Sequence, residues 1–145
     1  MKKLFLSVLP LMLLFLISCK KNSGAKSNEE KLMSGSWKIQ AASANGSDVM
    51  PLVPSCVKDN KVSFQTGGIG FLSEETDICN PSNETNFLWS LINNDTQLSM
   101  SANIIPGGTG AFTIVTLSES SLVLSQESSL IPSPTPVTVV ISLVH

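Results

Sequence analysis

From Ser36 onward, short β-prone runs alternate with clusters of Gly, Asn, Ser and Pro at intervals of about ten residues. This rhythm is too short for helices and leaves little room for anything except an all-β domain. The first run places Trp37, Ile39 and Ala41 on one face and Lys38 and Gln40 on the other. Lys61–Gln65 alternates strictly, which turns Val62 and Phe64 inward. A further short strand begins at Phe71 and Leu72. Thr85 to Ile92 aligns Phe87, Trp89 and Leu91, and Leu98 with Met100 continues the pattern. Ala111 to Leu117, Leu122 to Ser125, and the set Val137, Val139, Ile141 and Leu143 complete it.

The breaks between runs carry turn chemistry. Asn45-Gly46 and Asn93-Asn94-Asp95 suit left-handed backbone, and Gly67, Gly68 and Gly70 mark a tight turn or bulge. Pro106-Gly107-Gly108 and Ser118-Glu119-Ser120 turn the chain again. Residues 48–60 form a longer irregular loop holding Pro51, Pro54 and Cys56, and Pro132, Pro134 and Pro136 space an extended connection. In front of the strands, Ser27 and Glu30 form a capping box for a short helix that stops near Gly35. Hairpin-scale connections predict antiparallel order. About eight such strands must close or pack to hide their edges, so an antiparallel up-and-down barrel with a short N-terminal helix is expected. Its interior would draw on Trp37, Ile39, Val62, Phe64, Phe87, Trp89, Leu91, Leu98, Met100 and Phe112.

The start of the chain has a different texture. Lys2 and Lys3 precede an apolar run from Leu4 to Ile17, interrupted by Pro10 and followed by Ser18-Cys19. A spanning helix needs roughly twenty apolar residues, so this run is short for one and reads as a signal peptide. Leu16-Ile17-Ser18-Cys19 resembles the lipobox of bacterial lipoproteins. It implies cleavage after Ser18 and a diacylglyceryl group on the Cys19 sulfur. Acyl chains anchor with about 0.8 kcal/mol per buried methylene, and stable anchoring takes more than one chain. The expected organisation is therefore a signal peptide over 1–18, a lipidated flexible tether over 19–28 and the barrel domain over 29–145. Lysine rather than aspartate follows Cys19, which by analogy with Gram-negative sorting favours the outer membrane. No acidic export cluster follows it, which favours the periplasmic face.

Removing the leader leaves 127 of the 145 residues, one domain's worth. The chain has no Arg, and after Lys61 no Lys, while seven acidic side chains follow that point. Such a surface repels phosphate backbones and disfavours nucleic acid. With Cys19 assigned to lipid, Cys56 and Cys79 remain as a pair in an oxidising compartment, where a structural disulfide is expected. Their spacing is not Cys-x-x-Cys and His145 is the only histidine, which argues against a redox or zinc site.

Chemistry is sparse elsewhere. Glu74, Glu75 and Asp77 lack the oxygen-ligand spacing of an EF-hand and read as a solvated loop, so no metal is expected. Asp59 reads as a turn-former beside Cys56. Gly67-Gly68-Ile69-Gly70 lacks the Lys-Ser/Thr ending of a phosphate loop. One His and no Gly-x-Ser-x-Gly leave no nucleophile–base pair, so no enzyme and no cofactor are expected. The sequons at Asn45, Asn83 and Asn94 are turn sequences in a chain with a bacterial lipobox.

Gly35-Ser36-Trp37, after a short helix and opening the first strand, resembles the Gly-x-Trp motif of lipocalins. Cys56-Val57-Lys58-Asp59-Asn60, Phe64, the glycines at 67–70, Cys79 and Trp89 then follow in the order seen in the lipocalin-like domain of small Bacteroidetes lipoproteins. The resemblance spans roughly residues 31–127. It implies a lipocalin-like up-and-down barrel with Cys56 and Cys79 joined, and no enzymatic activity. The chain departs from it in the proline-rich segment 132–136 and in lacking the Arg that many lipocalins pack on their Trp. Trp37, Phe64, Phe87, Trp89 and Met100 are the residues expected to line a cavity for a small hydrophobic ligand, or else to fill the core. The short chain favours a filled barrel or a small pocket. A lipid-anchored binding module is the first functional expectation. The alternative is an interaction lipoprotein contacting an envelope protein complex.

Overall fold

The computed structural model describes residues 24–102, 104, 110–129 and 135–145. The expected signal peptide, Cys19, the turn expected at Pro106-Gly107-Gly108, Pro132 and Pro134 lie outside the described residues.

Among the described residues the strands are β1 (Ser36–Ala44), β2 (Ser47–Asp48), β3 (Lys61–Gln65), β4 (Ile69–Ser73), β5 (Thr85–Ile92), β6 (Gln97–Met100), β7 (Ala111–Leu117), β8 (Ser121–Ser128) and β9 (Val137–Val144). Neighbours pair antiparallel in chain order from β3 to β9. β1 pairs with β3 on one side and β9 on the other, which closes the sheet. β2 touches only β1, so the barrel itself has eight strands. Closure satisfies the strand edges, as the alternating pattern requires.

Two bulges set which residues point inward. The β1–β9 register slips between Ile39 and Ala41. One extra residue reverses the alternation. Trp37 and Ile39 face inward before the slip, but Ala42 and Ala44 are buried after it and Ala41 is exposed. The sequence pattern had placed Ala41 inward; the bulge moves it out. In β7 a similar slip between Ile114 and Thr116 turns Val115 to solvent and Leu117 back in. The loop expected over 48–60 begins at the end of β2 and holds a 3-10 turn at Met50–Leu52 and a one-turn helix, α2 (Ser55–Lys58).

One end of the barrel is sealed. Ser27 caps helix α1 (Asn28–Leu32): its hydroxyl accepts from the Glu30 N–H, and the Glu30 carboxylate accepts from the Ser27 N–H. The reciprocal pair holds α1 so that Leu32 is fully buried in the core. The Trp37 indole N–H donates to Leu32 O at 2.8 Å. His145 lies over the Trp37 ring with centroids 4.0 Å apart. Its Nδ1 sits 3.0 Å from Ser36 O and its Nε2 3.0 Å from Ser34 Oγ. A Cβ on Gly35 would lie 2.8 Å from that ring, so glycine is what lets the imidazole cover the Trp. The missing Arg is thus answered by a residue 108 positions away in sequence.

Inside, Trp37, Leu98, Phe112, Leu122 and Leu124 are wholly buried. Phe64 packs edge-on to Phe87 and to Trp89, with centroids 5.9 and 5.3 Å away. Gly70 faces this group. A Cβ there would lie 2.2 Å from the Phe87 ring, so the glycine makes the space the ring fills. Asn93, Asn94 and Asp95 carry φ of 53°, 56° and 60°, left-handed values that Asn and Asp tolerate better than most residues.

Candidate ligand cavity at the open end

The opposite end of the barrel is roofed by loops rather than sealed by a helix. α2 follows Pro54, and Cys56 within it is bonded to Cys79, with Cα atoms 5.2 Å apart. The expected disulfide is therefore present, and it joins α2 to segment 74–84.

Two carboxylates fold that segment. Glu74 accepts the backbone N–H groups of Asn83 and Cys79 and the hydroxyl of Ser82, at 2.9, 3.1 and 2.6 Å. These donors, the Asn83 N–H first, hold its carboxyl below the ordinary glutamate value. Asp59 accepts the N–H groups of Asp77 and Thr76 through one oxygen, at 2.9 and 3.0 Å, and is lowered chiefly by the Asp77 donor. Asp59 is thus a turn-former acting across the loop. Glu75 pairs instead with Lys61 at 2.9 Å. Within the acidic trio, Glu74 and Glu75 use their carboxylates separately, and Asp77 contributes its backbone N–H to Asp59. Among the described residues, no three His, Cys, Asp or Glu side chains group as a metal site would.

Beneath this roof lies a cavity of about 280 Å³. Its barrel wall is Ile39, Val62, Leu72 and Leu143. Val57, Asn60, Asn83 and Thr85 border it from the roof and the β5 end, and Ala102 and Ile104 from the segment after β6. The surface is mostly apolar with a few polar groups, the usual make-up of a small-molecule site. Its volume is near the lower end of the roughly 300–1,000 Å³ range such sites occupy.

The structure places the sequence-predicted ligand residues elsewhere. Trp37, Phe64, Phe87, Trp89 and Met100 are packed core side chains, each no more than 6 % exposed, and none borders this cavity. It is lined instead by smaller aliphatic residues nearer the mouth. A filled core and a pocket therefore coexist, one at each end. Val57, Asn60 and Leu72 were not singled out as ligand residues from the sequence. Asn60 did carry a signal, because it continues the inward set Val62 and Phe64 at a spacing of two.

A closed eight-stranded antiparallel barrel, packed at one end and hollow at the other, defines a cup-shaped binding barrel. The chain belongs to the lipocalin-like domain family, whose model matches residues 33–124. Among solved structures it is similar to the bovine lipocalin allergen Bos d 2, at 13% identity and a TM-score of 0.50. That match covers 81% of this chain and 75% of the other. At such identity the likeness is one of fold. Comparison with curated protein sequences finds no match.

Proposed function

We propose that this protein is a lipid-anchored lipocalin-like lipoprotein of the Bacteroidetes type that holds a small hydrophobic molecule in its open-end cavity. The observation that carries the binding reading is the mostly apolar hollow of about 280 Å³, walled by Ile39, Val62, Leu72 and Leu143, beside the packed aromatic core. Burying apolar ligand surface there yields about 25 cal/mol per Å² before the entropic cost of capture. The anchoring reading rests on Leu16-Ile17-Ser18-Cys19 and on the polar stretch after it. The outer membrane, periplasmic face, is the proposed location.

Titration of the full-length protein with 2-naphthol, followed by methyl NMR, tests the first reading. Resonances of Ile39, Leu72 and Leu143 should shift together, and Leu72→Trp should abolish the shifts. Shifts confined to residues outside the cavity would overturn it. Cys19→Ala should move the protein from the membrane pellet to the soluble fraction; retention in the pellet would count against lipidation.

A second reading, an interaction lipoprotein in an envelope complex, is favoured by one feature. Ile69 and Leu88 are cross-strand partners on the outer wall and stand 48% and 66% exposed. Changing both to Ser should leave 2-naphthol binding intact. If envelope proteins co-purify with the wild type, the same change should release them.

A further inference from the structure

A groove of about 450 Å³ lies at the sealed end of the barrel, apart from the ligand cavity. Ser27 and Glu29 at the start of α1 border it, together with Gly67 and Gly68 of the β3–β4 turn and Asp95 of the β5–β6 turn. The carboxylates at this end fall into two groups. Glu30 closes the α1 capping box, and Glu119 pairs with Lys26 at 2.7 Å. Glu29 and Asp95 are exposed, and neither has an ion-pair partner among the described residues. The turn at Asp95 needs left-handed backbone, with φ of 60°, and asparagine would supply that without a charge. A groove bordered by two unpaired carboxylates suits a cation.

The chain itself carries the cations, immediately before the groove. Ser27 borders it, and residues 20–26 are Lys-Lys-Asn-Ser-Gly-Ala-Lys, with three lysines and no acid. Lys26 is already held on this end of the barrel by Glu119. Lys21 stands six positions before Ser27 and Lys20 seven, so even a fully extended chain keeps their Cα atoms within about 25 Å of the groove. So short a connection holds the lysines at a local concentration on the order of millimolar, where weak exposed ion pairs suffice to dock them.

We propose that the tether docks on its own barrel, with Lys20 and Lys21 seated in this groove against Glu29 and Asp95. Together with the Lys26–Glu119 pair, this ties residues 20–26 to the sealed end. The docking does not depend on the lipid. On the anchoring reading given above, Cys19 then leaves from the end opposite the cavity, and the mouth of the cup points away from the bilayer.

Carbodiimide cross-linking of the full-length protein, mapped by mass spectrometry, tests the docking, because the reagent joins only amines and carboxylates in contact. Lys20 or Lys21 should be joined to Asp95 within one chain, about fivefold more than to Glu119, the preference expected of exposed ion pairs. Amide resonances of Gly67, Gly68 and Asp95 should differ between the wild type and Lys20→Gln/Lys21→Gln. That difference should vanish at about 1 M salt, where the Debye length is about 3 Å. The substitutions lie outside the barrel, so the comparison does not hinge on folding. Links spread over Glu29, Glu30 and Glu119 without Asp95, or groove resonances unchanged in the variant, overturn the proposal. Links to Asp95 only between different chains overturn it in favour of a second copy. Loss of the Asp95 link on adding anionic phospholipid vesicles overturns it in favour of headgroups. Cys19→Ala should keep the link; a lipidation test that fails while the link persists removes the orientation of the mouth and leaves the docking standing.

Discussion

Gly70→Ala should destabilise the barrel, although glycine to alanine in a strand ordinarily helps. The backbone at Gly70 is not left-handed, so alanine brings no torsional strain. The obstacle is steric. The added Cβ would lie 2.2 Å from Cε2 and Cζ of Phe87 and 2.9 Å from its Cδ2. Carbon atoms settle at about 3.5–4.0 Å, so the ring must retreat by more than an ångström. It has nowhere to go, being 3 % exposed and set edge-on against Phe64. Overpacking of this kind costs about 1–3 kcal/mol, and the gain from replacing a strand glycine is about 0.5–1 kcal/mol. A net loss of about 1–2 kcal/mol follows. With a urea m-value of about 1–3 kcal/mol per molar, the unfolding midpoint should fall by roughly 0.5–1 M. Phe87→Leu removes Cε2 and Cζ, and in that background Gly70→Ala should be neutral or stabilising. Equal losses in both backgrounds, or no loss in the wild type, would refute the steric account.

Replacing Cys56 and Cys79 by Ala should lower stability by about 3 kcal/mol in the chain-entropy model, read as a shift of the denaturation midpoint; a change below about 1 kcal/mol would mean the unfolded loop is already constrained. Asp59 and Glu74 have folded-state values depressed by their N–H donors. Their stabilisation is complete above the ordinary carboxylate values of 3.8 and 4.5 and is lost as pH falls through the lowered ones. The Asp59→Asn, Glu74→Gln double variant should therefore lose less stability than the wild type on acidification below about pH 4.5, and parallel acid curves would count against this. His145→Ala uncovers Trp37 and should cost about 0.5–1.5 kcal/mol, the range for an aromatic pair, with a loss of near-UV dichroism; an unchanged spectrum would contradict the stack.

Much of the barrel was legible because its strands keep a period of two and its turns carry their own chemistry. Lys61–Gln65 and Thr85–Ile92 have the bounds their alternation suggests. Ser27 and Glu30 form the capping box that their spacing predicts. The bulges were not legible. Gln40 fits the outward place that strict alternation gives it, Val115 resembles its apolar neighbour Ile114, and only pairing with the adjacent strand shows where a residue is extra. The closure of Trp37 by His145 lay beyond any local pattern. The position of the cavity was hidden for a related reason. Alternation tells which side chains point inward but not at what height along the barrel axis. Large aromatic residues drew attention as ligand contacts, yet their bulk is what fills the sealed half. The hollow is left where Ile39, Val62, Leu72 and Leu143 are too small to meet across it.

The disulfide has a kinetic side. Cys56 and Cys79 sit in the two roof segments that supply Val57, Asn60 and Asn83 to the cavity, while α1, Trp37 and His145 stop the far end. On the proposed binding reading, a guest would enter and leave past these two segments, and the sulfur–sulfur bond is the bolt on their frame. Opening that bolt should speed arrival and departure together, so the dwell time of a guest would shorten far more than its equilibrium affinity weakens. In an oxidising compartment the bolt would stay shut, and a captured guest would be held the longer for it.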